Sequence, residues 1–249
     1  MKSPQLIYCL IALSLLSCKR ENKTPETEKE TQDPTAYIDE KPDPIYAEHV
    51  RTSAFQTPAE ELNKFTLPPG FEITLFASEP EITKPINMAF DAKGRLWVTQ
   101  SSEYPIKAGP GNGTDRISIL EDTDQDGKAD KITDFANDLN IPIGIQPIKG
   151  GAIGFSIPNI YRFYDTNGDD VADKREIILG PFETKDTHGM VNNLFRGLDG
   201  WIHASHGFSN VSTVTGKDGN SITMTSGNTF RFTMDGQHVE KTSDGRINP

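Results

Sequence analysis

The chain has 249 residues, with 36 acidic against 25 basic side chains and a formal net charge of −11 at neutral pH. So acidic a chain offers no basic stripe that would release counterions from a phosphate backbone, and we expect no nucleic-acid partner. Its only two cysteines are Cys9 and Cys18. The chain beyond Cys18 therefore has no thiols for an internal disulfide, a c-type haem site or a thiolate zinc cluster.

The first eighteen residues have the pattern of a bacterial lipoprotein signal. Lys2 precedes an apolar run over residues 6–16, which is shorter than the roughly 20 apolar residues that cross a bilayer. Residues 15–18, Leu-Leu-Ser-Cys, resemble the lipobox, in which the cysteine is lipidated after cleavage. We expect Cys18 to anchor the protein to a membrane of the cell envelope, facing the periplasm or at the outer membrane. An ordinary signal peptide with an incidental cysteine is the alternative.

Residues 19–61 are charged, contain prolines and have few apolar side chains that could cover a core. This composition predicts a disordered tether that holds a folded domain away from the membrane. The folded domain is then expected over residues 62–249, a length that suits one domain.

Two kinds of hairpin alternate along that domain. Segments 87–99, 144–155 and 194–205 each contain an apolar strand, a turn with glycine and a second apolar strand. Segments 117–131 and 160–174 match each other, and 229–236 is a weaker echo. Such alternation at intervals of about 40 to 55 residues is typical of a β-propeller, whose blades are four-stranded sheets. We predict an all-β fold, an incomplete propeller with about three to four of the usual six or seven blades, so further blades are expected after Pro249. A β-sandwich is the alternative.

Two hairpin tips have the spacing of calcium loops, in which alternate oxygens converge on a hard cation. The first tip contains Asp122, Asp124, Asp126, Gly127 and Asp130. The second contains Asp165, Asn167, Asp169 and Asp173, with Glu176 at the twelfth position. In the second tip Asp170 stands where glycine is expected. We predict a calcium ion with a structural role in each; solvated acidic tips are the alternative.

Five segments together resemble the N-terminal part of the membrane-bound dehydrogenase domain family. They are LPPGFE (67–72), FDAKGRLWV (90–98), DTHG (186–189), RGLDGW (196–201) and HGFSN (206–210). The resemblance implies a propeller similar to the soluble quinoprotein glucose and aldose-sugar dehydrogenases. It further implies pyrroloquinoline quinone as cofactor, a sugar or alcohol as substrate, and a cytochrome c domain or protein as electron acceptor.

Oxidation of a hydroxyl group needs a base, and histidine is the side chain whose pKa suits this near neutrality. In the quinoprotein sugar dehydrogenases a catalytic histidine stands before a Gly-x-Asp-Gly hairpin, a position similar to that of His188. Their orienting aspartate is not matched, because Gly207 is followed by phenylalanine, so Asp186 is the candidate for that role. His206 is a second catalytic candidate, and Arg196 and Asn192 are the candidates for cofactor binding.

A binding module is the alternative to an enzyme. In that interpretation the axial face of the propeller binds a carbohydrate or another protein without catalysing a reaction. Its expected rim comprises Asn192, Asn193, His206 and Asn210. A propeller hydrolase is more distant, since it needs inward carboxylates around an axial calcium that the sequence does not place.

Overall fold

The computed structural model describes residues 54–245. The predicted signal, Cys18 and most of the predicted tether lie outside this range. The first element is a short helix, α1 (Pro58–Leu62), whose start is fixed by a capping box between Thr57 and Glu60. Within the described residues, regular structure begins at Pro58, four residues before the boundary expected at Leu62. Among residues 54–245, no helix has the length and apolar character needed to span a bilayer.

The remaining regular structure is almost entirely antiparallel β-sheet, as the sequence predicts. The first sheet contains β1 (Pro85–Phe90), β2 (Leu96–Gln100), β3 (Asp115–Glu121) and β4 (Lys131–Leu139). The second contains β5 (Gly144–Ile148), β6 (Gly151–Ser156), β7 (Asn159–Tyr164) and β8 (Lys174–Leu179). The third contains β9 (Val191–Arg196), β10 (Ile202–His206), β13 (Asn228–Phe232) and β14 (Val239–Asp244). A two-stranded sheet of β11 (Ser212–Thr215) and β12 (Ser221–Met224) is inserted between β10 and β13.

Each predicted hairpin forms half of a sheet because its turn residues favour a tight reversal. In the β1–β2 turn, Asp91 Oδ1 accepts hydrogen bonds from the backbone N–H groups of Lys93 (2.9 Å) and Arg95 (3.0 Å). Gly94 has a φ of 80°, a conformation that glycine adopts without steric cost. Local chemistry thus closes the hairpin before the sheets pack.

Two apolar clusters hold the three sheets together. One lies between the first and second sheets and includes Trp97, Phe135 and Phe163, with ring centroids of Trp97 and Phe135 4.6 Å apart. The other lies between the second and third sheets and includes Phe155 and Phe230. Complete burial of side chains of this size contributes about 1.5–3 kcal/mol each, so stacking of the sheets is the main source of stability.

The opening strands of the three sheets, β1, β5 and β9, lie side by side, with β5 between the other two. Asn87 of β1 donates a hydrogen bond from Nδ2 to Asn192 Oδ1 of β9 at 3.2 Å. Gly144 allows β5 and β9 to pack closely, because a Cβ atom on Gly144 would lie 3.0 Å from Leu194 Cδ1.

The acidic tips and most hairpin turns lie at one end of the sheets, and the longer connections lie at the other, together with the short β6–β7 turn at residues 157–158. The turn end carries turns 91–95 and 197–200 and the acidic tips 122–130 and 165–173. The connection end carries segments 101–114, 180–190 and 207–211. Thr187 Oγ1 donates to Pro105 O at 2.7 Å, so connections from different sheets meet at this end.

Candidate functional site

His188 lies at the connection end, in a 3-10 turn (Thr187–Gly189) between β8 and β9. Asp186 caps this turn, because its Oδ1 accepts the backbone N–H of His188 at 2.9 Å. The same oxygen is 3.2 Å from His188 Nδ1. The imidazole is 60% exposed, and its contact with Asp186 leaves Nε2 for another partner. A carboxylate only accepts hydrogen bonds, so Nδ1 carries the proton of the neutral ring in this pair.

Tyr104 packs against His188, and two lysines form hydrogen bonds with Tyr104 and with Thr184. The rings of Tyr104 and His188 meet edge to face, with centroids 5.6 Å apart. Lys84 Nζ donates to the carbonyl oxygen of Tyr104, and Lys107 Nζ donates to Thr184 O at 2.7 Å and Thr184 Oγ1 at 2.8 Å. Both ammonium groups are thus held by neutral oxygens.

The loop that carries Tyr104 is organised by Asp115, a buried carboxylate that sequence reasoning missed. Asp115 accepts hydrogen bonds from Ser101 Oγ (2.6 Å), Ser102 N (2.9 Å) and Ile141 N (2.9 Å). The only signal in the sequence is an aspartate at the start of a strand with a largely apolar centre. Its partners lie in two different connections, and spacing along the chain does not reveal them.

The structure corrects the role expected for His206, which has no exposed surface. Its Nε2 is 2.8 Å from Ser212 Oγ and its Nδ1 is 3.2 Å from Ser226 O, so both nitrogens are satisfied inside the protein. Burial lowers the pKa of His206 and favours the neutral ring. Asn210 is also fully buried, so neither residue forms part of a rim. His203 faces the other side of β10 and stacks on Phe195.

The two residues expected at the cofactor do not meet at His188. Asn192 lies near the start of β9, where its Oδ1 accepts from Asn87, whereas Arg196 is the last residue of that strand. Arg196 directly precedes the turn at residues 197–200, so it belongs to the turn end, whereas His188 belongs to the connection end. The four residue steps from Asn192 to Arg196 cover up to about 13 Å. Lys84 and Lys107 instead contact Tyr104 and Thr184, on the side of the molecule where the His188 turn lies.

In the first acidic tip, three of the four expected carboxylates come together. Ligand oxygens of Asp122, Asp124 and Asp130 lie within 4.8 Å of one another. Two hydrogen bonds from Thr123, through its hydroxyl and its backbone N–H, lower the pKa of Asp130 and keep it ionised. Asp126 stands outside this cluster. Oxygen ligands of this kind suit a hard cation such as calcium.

In the second acidic tip, the expected ligand residues form hydrogen bonds with other groups of the protein. Glu176 accepts from the Tyr164 hydroxyl at 3.1 Å and from Lys217 Nζ at 3.2 Å. Asn167 and Asp169 bond to each other, while Asp165 accepts from Gly168 N at 2.7 Å. Asp173 accepts from the hydroxyl and backbone N–H of Thr166. Within residues 54–245, the cluster at Asp122 is the one group of three or more carboxylates, histidines and cysteines close enough for a shared ion.

Comparison with known families identifies one family that matches most of the chain. Residues 57–248 match the domain of unknown function DUF7133. The chain belongs to the DUF7133 family. The match starts at Thr57, the residue that caps α1, so the DUF7133 domain includes this helix as well as the three sheets. No curated protein matches the chain.

Proposed function

We propose that this DUF7133 domain is part of an extracytoplasmic, quinoprotein-like dehydrogenase, in which His188 takes the hydroxyl proton of a sugar or alcohol. The observation that carries the proposal is the pair formed by His188 and Asp186. An imidazole whose Nδ1 faces a carboxylate at 3.2 Å presents Nε2 to the solvent as a proton acceptor. Geometry of this kind suits general base catalysis.

We propose further that the three four-stranded sheets are consecutive blades of an open β-propeller. Each of these sheets begins with the strand nearest its neighbours, since β1, β5 and β9 lie side by side. The two acidic hairpins belong to separate sheets, an arrangement that suits two neighbouring blades. The connection end would then form one face of the ring, with the His188 turn on it.

The residues at the connection end have two roles in this mechanism. His188 Nε2 accepts the proton of the substrate hydroxyl, and Asp186 stabilises the imidazolium that forms, because its carboxylate lies beside the protonated Nδ1. Asp186 also fixes the ring orientation through the cap on the 3-10 turn. Pyrroloquinoline quinone, when bound, would accept the hydride that leaves the carbon.

Two lysines suit a quinone that bears carboxylates, although Arg196 does not. Lys84 contacts the carbonyl oxygen of Tyr104, whose ring packs on His188, and Lys107 contacts Thr184, four residues before His188. Lysine ammonium groups keep up to three donors and a full charge for an anionic group. These two residues would therefore hold the carboxylates of the cofactor.

The sequence supports a place for this domain in the cell envelope. A lipidated Cys18 would anchor the chain, and residues 19–53 would carry the domain away from the membrane. Calcium in the first acidic tip would stiffen a blade at the turn end, on the side opposite His188. A cytochrome c domain or protein would receive the electrons.

A non-catalytic propeller that binds a carbohydrate or a protein is the second candidate. The observation that favours it is the open position of His188, whose imidazole is 60% exposed. A cavity of about 320 Å³ lies elsewhere, beside β4 and β8, where Asn137, Asp173 and Arg175 line it. Enzyme sites are usually concave, whereas binding faces are often flat.

Turnover separates the two candidates. The purified full-length protein is supplied with pyrroloquinoline quinone and calcium, and dye reduction is followed across a panel of sugars and alcohols. We expect quinone-dependent reduction with at least one substrate and its loss in His188→Ala. If the quinone neither binds nor supports turnover, and His188→Ala leaves carbohydrate binding unchanged, the dehydrogenase proposal is wrong.

A further inference from the structure

The loop after β10 is hydrogen-bonded to the His188 turn through one buried side chain, that of Asn210. Asn210 has no exposed surface, and all three of its side-chain hydrogen bonds go to the backbone of that turn. Its Oδ1 accepts from Asp186 N at 3.0 Å, and its Nδ2 donates to Asp186 O at 2.8 Å and to Gly189 O at 2.9 Å. The amide thus brackets His188 from the residue two before it to the residue after it.

The backbones of the turn and the loop also touch directly. A Cβ atom on Gly207 would lie 2.5 Å from Gly189 Cα, and a Cβ atom on Gly189 would lie 2.3 Å from Phe208 O. Real side chains do not tolerate such distances, so both positions require glycine. The two His-Gly steps of the sequence, 188–189 and 206–207, meet here, and the loop determines where the turn lies.

We propose that Asn210 is a positioning residue that holds Asp186 and His188 in their paired geometry. This inference rests on the proposed role of His188 as a base. A neutral amide suits the task because it satisfies one donor and two acceptors without placing a second buried charge near the pair. Its removal would leave Asp186 N and Gly189 O without this partner, while Asp186 O would keep only its bond from Gly189 N at 3.2 Å. A turn that relaxes by about 1 Å separates Asp186 Oδ1 from His188 Nδ1.

Asn228 provides a matched control. It is also buried and makes the same number of side-chain hydrogen bonds, to Thr225 N, Ser243 O and Asp244 Oδ1, but none of these partners belongs to the His188 turn. Asn210→Ala and Asn228→Ala should therefore lower the melting temperature by similar amounts. A purely structural role for Asn210 would make the two variants alike in every other measurement.

The deciding readout is the ¹⁵N and ¹H chemical shifts of the His188 imidazole in the full-length protein, compared with kcat/KM. We expect Asn210→Ala to change those shifts and to lower kcat/KM at least tenfold, while Asn228→Ala leaves both near wild type. Wild-type imidazole shifts in Asn210→Ala, or equal changes in Asn228→Ala, would overturn the proposal.

Gly207→Ala keeps the proposal testable if Asn210→Ala does not fold. The added methyl group pushes the turn away from the loop while Asn210 stays in place, so the same imidazole shifts should change. Their persistence at wild-type values would count against the loop as the support of the turn. If the wild-type protein has no turnover, the dehydrogenase proposal fails by itself, and the imidazole shifts still decide the role of Asn210.

Discussion

Arg95 and Asp170 join the first and second sheets at the turn end, with Arg95 Nη1 2.8 Å from Asp170 Oδ2. Asp91 holds the same guanidinium through Nε at 2.8 Å. Asp170 occupies the position where a calcium loop has glycine, and its φ of 67° is the left-handed conformation that glycine would adopt. The second acidic tip therefore has an aspartate where a calcium loop has glycine, and this aspartate forms an ion pair between the two sheets.

Replacing Asp170 by asparagine tests this contact. Asparagine tolerates the left-handed conformation about as well, so the change removes mainly the ion pair. We expect Asp170→Asn to lower the free energy of unfolding by about 1 kcal/mol, because the pair is partly buried. Chemical denaturation at low and high salt measures the loss, which should shrink at high salt. Asp169→Asn in the same tip is the control, and an equal loss there would contradict the assignment.

Buried His206 makes stability depend on pH. Burial lowers its pKa in the folded state below the value of about 6.5 in an unfolded chain, so the unfolded state binds the proton more readily. The contribution of the neutral ring is therefore complete above about pH 6.5 and is lost as the pH falls below it. Urea unfolding at pH 7.5 and 5.5 should show lower stability at pH 5.5, and His206→Gln should reduce that difference. A wild-type protein equally stable at both values would refute the prediction.

Calcium should stabilise the first acidic tip and not the second. A ligand that binds only the folded state raises the melting temperature, and Asp124 belongs to the one tip where three carboxylates meet. We expect calcium to raise the melting temperature of the wild type and of Asp169→Ala, but not of Asp124→Ala. If Asp124→Ala is destabilised to the same extent with chelator present, the tip holds no ion.

Asp186→Asn separates orientation of His188 from the fold of the turn. Asparagine caps a turn as well as aspartate does, so the melting temperature should change little. Its amide can donate to Nδ1, however, which favours the tautomer that protonates Nε2 and removes the base. We expect kcat/KM to fall at least tenfold, as measured by steady-state dye reduction. Asp199→Asn, beside His203, provides the comparison, and a similar fall there would point to a general effect on the fold.

Much of this fold follows from the sequence because its signals are local. The hairpin at residues 87–99 needs only Asp91, Gly94 and alternating apolar side chains, and the same signals recur in the other two large sheets. The cluster of Asp122, Asp124 and Asp130 also follows from spacing within one short loop. Properties set by neighbours in the chain were therefore predictable.

What the sequence did not reveal depends on contacts between distant segments. Alternation along β10 separates the faces of His203 and His206, but it does not say that Ser212 of the inserted hairpin covers His206. The three hydrogen bonds of Asn210 join it to residues more than twenty positions earlier in the sequence. Arg196 is only eight residues from His188 in sequence, yet β9 carries it to the opposite end of the sheet.

The most direct test of the central claim is kcat/KM for sugar-dependent dye reduction by His188→Gln, measured beside His238→Gln. His238 also pairs with an aspartate, with Nδ1 2.7 Å from Asp218 Oδ2, but it lies near the start of β14, away from the connection end. If His188 is the base, its variant loses about 10²–10⁴-fold in kcat/KM while the His238 variant keeps nearly all of it. Equal values of kcat/KM in the two variants would contradict the account.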